Sequence, residues 1–386
     1  MNRRQFIGSM VSAPIVLFPL AARVAQAHPA NYRNLLVLIE LKGGNDGLNT
    51  VVPYAAESYY ALRPRLAIAR DQVIQLDEHT GLHPALKPLG AMWQAQELAI
   101  VQGLGYPSAN LSHFRSIEIW HTASRADEYL EDGWLSRVFK RAPAPAGYAA
   151  DGVVVGSHDL GPLAGVGPRV IALANTERFL RQMHLANPVE RGGSAALRHI
   201  MRVERDIAKA ASRFDARHQF RTEFPATAFG NAVRTASQVI ASRSGVAVVK
   251  LTLDGFDTHS NQAARHVRLL QSFADGLVAL RQALTELGRW ESSLVMTYAE
   301  FGRRPKQNLS GGTDHGTASA HFLAGGRVRG GLHGLAPALD RLDGNGNLPF
   351  GPDFRELYAM VLERWWGVDS SVPLKGRFEP LELLKV

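Results

Sequence analysis

The sequence predicts an α/β fold in which helices cover a mostly parallel β-sheet. Residues Asn34–Leu41 contain a continuous apolar run, and such runs are typical of strands buried on both faces of a parallel sheet. Further apolar runs alternate along the chain with segments of helical spacing, which is the pattern of a layered α/β domain. The length of 386 residues is sufficient for a large core. We therefore expect one large domain around a central sheet.

The expected elements follow one another along the chain. After the first strand, further strands are predicted at Leu98–Gln102, Gly152–Gly156, Val246–Leu253, Ser293–Tyr298 and His321–Leu323. Helices are predicted at Pro84–Gln94, Ser112–Ser124 and Gln262–Leu287, and the last of these is long and amphipathic. Residues from about 176 to 245 are rich in Arg, Ala and Gln. We expect a helical insertion there that caps or flanks the sheet.

Residues 1–27 are predicted to be a twin-arginine export signal. Arg3-Arg4 precedes an apolar stretch that continues to about Leu20, and Ala25-Gln26-Ala27 has the small-x-small pattern of a cleavage site. A membrane anchor is the alternative, but the stretch is short for a bilayer span and two prolines interrupt it. We therefore expect a mature domain over residues 28–386 without a stable membrane span. It would meet the twin-arginine translocase during export and be periplasmic or secreted.

Composition narrows the classes of function. The chain has no cysteine, which excludes disulfides and thiolate metal sites. Its formal net charge is +8, and loss of the predicted signal, with three arginines and no acids, leaves +5. The basic residues are scattered and no run of five or six like charges occurs, so we expect no nucleic-acid partner. A mild positive excess is compatible with an anionic small-molecule substrate.

Three glycine-rich segments after predicted strands carry side chains that commonly bind metals. Asp46 follows the first strand, Asp257 and His259 follow the strand that ends at Leu253, and Asp314-His315 lies in a later glycine-rich loop. Ligands collect at the carboxyl ends of strands in open α/β sheets, so we expect these residues to meet at one edge. Oxygen and imidazole ligands without thiolates suit divalent Zn, Mn, Mg or Ca.

Ser112 is a candidate nucleophile because it directly precedes a predicted helix. The N-terminus of a helix favours an anion, and a metal on the serine oxygen would help to ionise it. Arg115, one turn further, could bind an oxyanion. Simpler alternatives stay open for three of the candidates. Ser112 could be only a helix N-cap, Asp46 only a turn residue, and His321 either a metal ligand or a core histidine.

A set of motifs together resembles the DUF1501 family, over a range from about residue 33 to the C-terminus. The family is similar in pattern to the alkaline phosphatase superfamily, which includes sulfatases and cofactor-independent phosphoglycerate mutases. The resemblance implies a three-layer α/β/α fold, a central sheet between helices and a two-metal centre. It is carried by residues 41–49, Ser112-His113-Phe114-Arg115, residues 255–259, Glu300-Phe301-Gly302-Arg303-Arg304 and residues 312–316.

The resemblance also assigns roles to residues. It matches Asp46 to the carboxylate after the first strand, the pair Asp314-His315 to one metal, and Asp257 and His259 to the other, with His321 as a candidate last ligand. Asp257 and His259 are two positions apart, whereas the corresponding pair in the wider superfamily is four apart.

Two functions follow from these matches. The first is hydrolysis of phosphate or sulfate esters, in which Ser112 attacks and Arg115 holds the anion. The second is a non-catalytic exported scaffold of the cell envelope or of secretion.

Overall fold

The computed structural model describes residues 30–173, 218–242 and 245–385. The predicted export signal lies outside these ranges, as does most of the predicted helical insertion. Within the described ranges, none of the helices combines the length and the apolar character that a membrane span requires.

The strands are short, and each of the six predicted strands lies close to a strand of the structure. In chain order they are β1 (Leu35–Lys42), β2 (Val51–Val52), β3 (Ile74–Gln75), β4 (Gly81–Leu82), β5 (Leu98–Leu104), β6 (Ala150–Val155), β7 (Val170–Leu173), β8 (Val246–Asp254), β9 (Ser293–Tyr298), β10 (Arg303–Gln307), β11 (Thr313–His315), β12 (Ser319–Ala324) and β13 (Gly331–Gly334).

Eight of these strands form the central sheet, in the order β13-β5-β12-β9-β1-β8-β6-β7. Strand β1 lies between β8 and β9 and is parallel to both. Strand β12 runs antiparallel to its neighbours β5 and β9, and the other pairs in the sheet are parallel. The predicted mostly parallel sheet is therefore confirmed. A separate antiparallel ribbon of β10 and β11 lies beside the carboxyl ends of the strands.

Helices form the other two layers. In chain order they are α1 (Gly47–Thr50), α2 (Glu57–Leu62), α3 (Gly90–Gln94), α4 (His113–Thr122), α5 (Trp134–Arg141), α6 (Ala228–Ala241), α7 (Gln262–Glu286) and α8 (Phe354–Met360). Helix α7 matches the predicted amphipathic helix to within one residue. The predicted helix at Pro84–Gln94 divides into a 3-10 segment, Pro84–Leu89, and α3, because Pro88 interrupts it. Seven strands and four helices were not predicted, namely β2, β3, β4, β7, β10, β11, β13, α1, α2, α5 and α8.

The two faces of β1 explain the three layers. Leu35, Val37 and Ile39 pack into one hydrophobic core with α6 and α7, whereas Leu36 and Leu38 pack into a second core with α4, α5 and α8. Successive side chains of a strand point to opposite faces, so an unbroken apolar run supplies both cores at once. The predicted α/β/α arrangement is confirmed by this packing.

Gly276 provides a test of the packing between α6 and α7. A β-carbon at Gly276 would lie 2.5 Å from Cε1 of Phe229, a side chain that is 3% exposed and packed in the core. Alanine normally stabilises a helix by up to about 1 kcal/mol relative to glycine. Here we expect Gly276→Ala to lower the free energy of unfolding by about 1–3 kcal/mol, because the ring must move. Chemical denaturation measures the change.

Gly90→Ala is the matched control. Gly90 begins α3, and no other atom lies within 4 Å of an added β-carbon there. This variant should be as stable as the wild type or slightly more stable. An equal gain in stability for both variants would show that the two helices do not approach as closely as described.

Candidate metal centre

The candidate site lies at the carboxyl-terminal edge of the sheet. Strands β1, β8 and β9 end there, and the loops after them carry Gly43-Gly44, Asp257–His259 and Glu300. Helix α4 begins at the same edge with His113, and β11 contributes His315. The predicted meeting of side chains from several strand ends therefore holds for Asp257, His259 and His315. We refer to these three residues and His113 as the histidine cluster.

Three imidazoles surround the carboxylate of Asp257. The Nε2 atom of His113 lies 3.4 Å from Oδ2, and the Nε2 atoms of His259 and His315 lie 3.1 Å and 3.5 Å from Oδ1. The Nε2 atoms of His259 and His315 are only 2.9 Å apart. If both rings were neutral and each directed the lone pair of its Nε2 atom at the other, the two nitrogens would repel each other at this distance. A proton or a cation must therefore lie between them.

The Nδ1 atom of each imidazole faces an acceptor on its other side. His113 Nδ1 lies 2.8 Å from Oε1 of Glu300, and His315 Nδ1 lies 2.7 Å from the carbonyl oxygen of Leu111. His259 Nδ1 lies 3.5 Å from Oδ1 of Asp314. When Nδ1–H donates to such an acceptor, the Nε2 lone pair remains free and the ring is oriented. This arrangement is the usual outer shell of metal-binding histidines.

The donor set fits a divalent metal. His113, Asp257 and His315 offer ligand atoms that all lie within 4.8 Å of one another. Imidazole nitrogens together with a carboxylate suit zinc or manganese, and the absence of thiolates disfavours softer ions. The ion itself is not identified by these residues.

The ionisation states of Asp257 and His315 agree with metal binding, whereas that of His113 opposes it. Burial alone would raise the pKa of Asp257, but its hydrogen bond with Arg303 and the charge of that residue outweigh burial and lower the pKa. Burial lowers the pKa of His315, which favours the neutral ring. The hydrogen bond with Glu300 raises the pKa of His113 and therefore favours its protonated form. A metal at His113 must displace that proton.

The Arg303 guanidinium connects the loops that carry the cluster. It is 2% exposed and donates to Asp257 Oδ1 at 2.8 Å, to the carbonyl of Gly44 at 2.8 Å and to that of Thr313 at 2.9 Å. It also donates to the carbonyls of Gly43 and Phe256. Three loops from distant parts of the chain are thereby held by one side chain.

Gln262, the first residue of α7, forms a second connection beneath the site. Its amide nitrogen donates to Oδ2 of Asp46, and its amide oxygen accepts from the hydroxyls of Thr258 at 3.0 Å and Thr313 at 2.7 Å. Thr258 lies between Asp257 and His259, and Thr313 precedes Asp314-His315. Gln262 therefore links both histidine-bearing loops to a buried carboxylate.

Asp46 lies outside the group of ligand atoms described above. Its carboxylate is buried, pairs with Arg63 Nη1 at 2.6 Å, and accepts from Gln262. Burial alone would raise the pKa of Asp46, but the charge and hydrogen bond of Arg63, the charge of His266 and the hydrogen bond from Gln262 together outweigh burial and lower the pKa. Asp46 is also the N-cap of α1, where its side chain accepts a hydrogen bond from the backbone N–H of Asn49. A direct metal contact by Asp46 stays a prediction.

Asp314 and His321 also occupy positions other than the centre of the cluster. Asp314 lies behind His259 and accepts from Asn308 Nδ2 at 3.2 Å, so in this arrangement it orients His259. His321 is buried on β12, with its ring 5.3 Å from that of Trp120, and burial lowers its pKa to about 3. His321 therefore has the surroundings of a core histidine. The metal contacts proposed for both residues stay predictions.

Ser112 stands at the N-cap position of α4, exposed and next to His113, and its side chain makes no capping hydrogen bond. The hydroxyl of Ser112 therefore does not form the capping hydrogen bond that the simpler N-cap interpretation predicts. The guanidinium of Arg115 contacts other protein groups, not the site beside Ser112. Its guanidinium pairs with Glu118 at 2.9 Å, stacks 3.9 Å from the centre of the Tyr129 ring, and donates to the carbonyls of Arg125, Ala126 and Glu128. Its contact with a substrate anion stays a prediction.

Three residues of the site received no role from the sequence. His113 and Glu300 occur there only as members of the motifs that carry the resemblance, and Gln262 only as the first residue of a predicted helix. Glu300 could have been found by the strand-end rule, since it lies two residues after β9. Gln262 could not, because nothing in its local sequence distinguishes it from another helix-starting glutamine.

Comparison with known proteins places the chain in a family. The model of a family described as "Protein of unknown function (DUF1501)" matches residues 75–376, and the chain therefore belongs to the DUF1501 family. The matched range begins later than the expected residue 33, so the Gly43–Gly47 segment precedes it. No curated protein matches the chain.

Three solved structures illustrate what the fold is similar to. The PsFucS1 sulfatase from Pseudoalteromonas sp. is 12% identical, with a TM-score of 0.44 over 90% of this chain and 70% of that one. A protein in the alkaline phosphatase superfamily from Vibrio parahaemolyticus is 13% identical, with a TM-score of 0.41 over 90% and 71%. The C-terminal periplasmic domain of EcEptC from Escherichia coli, in complex with Zn, is 10% identical, with a TM-score of 0.38 over 76% and 72%.

The position of Gln262 leads to a prediction for metal affinity. Gln262→Ala leaves the hydroxyls of Thr258 and Thr313 without their buried acceptor and removes a donor from Asp46. We expect the affinity of the histidine cluster for Zn²⁺ to fall about 10–100-fold, as for other outer-shell substitutions. Isothermal titration of chelator-treated protein measures the affinity.

Gln271→Ala is the matched control, since Gln271 lies on the exposed side of α7 and its side chain donates a hydrogen bond to Asp275 Oδ1, away from the site. The control should bind Zn²⁺ as the wild type does. A loss of stability in Gln262→Ala with unchanged Zn²⁺ affinity would mean that Gln262 supports the fold but does not position the ligands.

Proposed function

We propose that the chain is an exported hydrolase of phosphate or sulfate esters that uses a divalent metal. The observation that carries the proposal is the orientation of three imidazoles, whose Nδ1 atoms face acceptors and whose Nε2 atoms converge on Asp257. His113, Asp257, His259 and His315 would hold the metal. A divalent ion bound there supplies positive charge that stabilises the oxygens of an ester anion during transfer.

The position of Ser112 favours its role as the nucleophile that attacks the ester. Its hydroxyl lies at the N-terminus of α4, where the helix dipole stabilises negative charge on oxygen. In the proposed reaction, Ser112 Oγ bonds to phosphorus or sulfur and the bond to the ester oxygen breaks. The proton lost from the serine is balanced by protonation of the leaving alcohol. Water then releases phosphate or sulfate and restores the serine.

The second candidate is a non-catalytic exported scaffold. The observation in its favour is Arg115, whose guanidinium binds Glu118 and three loop carbonyls and so is not free to grip an anion. In that case the histidine cluster would bind metal for stability alone. Both candidate functions predict a bound metal, and they differ in whether the protein turns over an ester substrate.

One experiment tests the metal and the nucleophile together. His315→Ala removes one of the converging Nε2 atoms, so we expect it to lose the metal. A ligand present at 100 times its Kd stabilises the native state by about 2.7 kcal/mol, and this stabilisation should disappear. Ser112→Ala should keep the metal and lose most turnover of aryl phosphate, phosphodiester or sulfate esters. Elemental analysis and ester assays with Zn, Mn, Mg and Ca provide the measurements.

His79→Ala and Ser310→Ala are the controls, since both residues are exposed in the described part of the chain. Both should keep metal and activity. Unchanged metal content in His315→Ala would overturn the metal centre. Full activity in Ser112→Ala would reject this serine as the nucleophile, and no activity of the wild type with any metal would favour the scaffold.

Export is the remaining part of the proposal, and it is supported by Arg3-Arg4 and by the Ala25-Gln26-Ala27 pattern. Replacing both arginines by lysine should leave unprocessed chain in the cytoplasm of a producing bacterium. Cell fractionation followed by N-terminal analysis checks this. Normal amounts of processed protein outside the cytoplasm, from the lysine variant, would exclude the twin-arginine route.

A further inference from the structure

A second group of metal-binding side chains lies at the other end of α4. Glu40 projects from β1, His121 lies in the last turn of α4, and Asp159 follows β6. These three residues offer ligand atoms that all lie within 4.8 Å of one another. None of them belongs to the histidine cluster, and the proposed hydrolysis does not use them.

Glu40 has one oxygen that lacks a partner. The residue is 1% exposed, and its Oε2 accepts from Lys250 Nζ at 2.7 Å and from Thr252 Oγ1 at 3.2 Å. Its Oε1 is buried and has no hydrogen-bond partner among the described residues. A buried acceptor without a donor costs about 1–3 kcal/mol, and more when it is charged. The free oxygen therefore has a position open for a further partner, either a hydrogen-bond donor or a cation.

His121 is suited to supply a nitrogen ligand. Burial lowers the pKa of His121, so the ring is neutral and keeps a lone pair. His121 also lies at the C-terminal end of α4, where the helix dipole favours positive charge. Asp159 is exposed, which opens the group to solvent and gives an ion a route of entry.

The charges of the surrounding groups favour a cation. Glu40 and the ionised Asp159 contribute two negative charges, since the charges of His121 and Lys250 lower the pKa of Asp159 against the effect of burial. The buried Lys250 contributes one positive charge, and it occupies the other oxygen of Glu40. Glu40, Asp159 and Lys250 together carry one net negative charge, which the solvent-exposed Lys42 offsets only in part because water screens it. Lys42, at the exposed end of β1, and the hydroxyl of Tyr298, 3.3 Å from His121 Nε2, complete the surroundings.

We propose that Glu40, His121 and Asp159 form a second, independent site for a divalent cation. The mixture of imidazole and carboxylate suits Zn²⁺ or Mn²⁺ better than Mg²⁺ or Ca²⁺. His113 and His121 are eight positions apart on α4, which corresponds to about 12 Å along a helix. Two metals that act on one substrate lie about 3.5–4 Å apart. The second site therefore stabilises the junction of β1, β6 and α4 and is not a partner in catalysis.

Ion counting in a set of variants tests the second site. Chelator-treated mature protein is loaded with ZnCl₂ or MnCl₂, and native mass spectrometry counts the ions bound. Asp159→Asn should bind one ion fewer than the wild type, whatever number the histidine cluster holds. In the His315→Ala background, Asp159→Asn should remove the remaining ion or weaken its binding at least tenfold. Glu40→Gln should give the same loss where it folds.

Asp254→Asn is the matched control, because Asp254 is an exposed carboxylate at the end of β8 on the same edge of the sheet. It should bind as many ions as the wild type. Equal ion counts in the wild type and in Asp159→Asn would overturn the second site and leave Glu40 Oε1 to a water molecule. Loss of an ion in His315→Ala but not in Asp159→Asn would support the histidine cluster and exclude the second site. The experiment therefore tests the two sites separately.

Discussion

The buried guanidinium of Arg303 is the constraint on which the candidate site depends. A cation in this position is tolerated only because Asp257 neutralises it and because the carbonyls of four other residues accept its remaining hydrogens. These acceptors lie on the loop after β1, the loop after β8 and the start of β11. The guanidinium therefore sets the distances between loops that are more than 200 residues apart in sequence. The histidine cluster takes its shape from this arrangement.

A second buried ion pair, between Arg63 and Asp46, also connects the loops of the site, and it lies beneath the histidine cluster. Asp46 also accepts from Gln262, and Gln262 accepts from the threonines of both histidine-bearing loops. The site is thus enclosed between two charged pairs, each of which is satisfied by hydrogen bonds. Such networks fix side-chain orientation, because any displaced member would leave a buried charge without a partner. This explains how the imidazoles can face one another at a separation that needs a proton or a cation between them.

The two ends of helix α4 lie at two different groups of candidate metal ligands. Its first residue, His113, belongs to the histidine cluster, where the positive end of the helix dipole favours a substrate anion. Its last turn holds His121, where the negative end favours a cation. Both ends of α4 lie beside the end of β1, because the loop after β1 carries Gly43-Gly44 next to the histidine cluster and β1 itself carries Glu40 next to His121. Under the two proposals above, a single helix packed on one face of the sheet would serve a reactive centre at its start and a stabilising metal site at its end.

The sequence by itself determined the class of fold and most of the elements around the site. Apolar runs and helical spacing are local signals, so β1, β8, β9 and α7 could be placed to within one or two residues, and the strand-end rule brought together Asp257, His259 and His315 correctly. Strand β7 and helix α8 were missed because they are short and their patterns are weak. Only the tertiary structure decided that Arg303 and Gln262 hold the loops, that Glu300 orients His113, and that Asp46 pairs with Arg63. These roles depend on which distant residue lies within hydrogen-bond distance in a low-dielectric interior, and no local pattern carries that information.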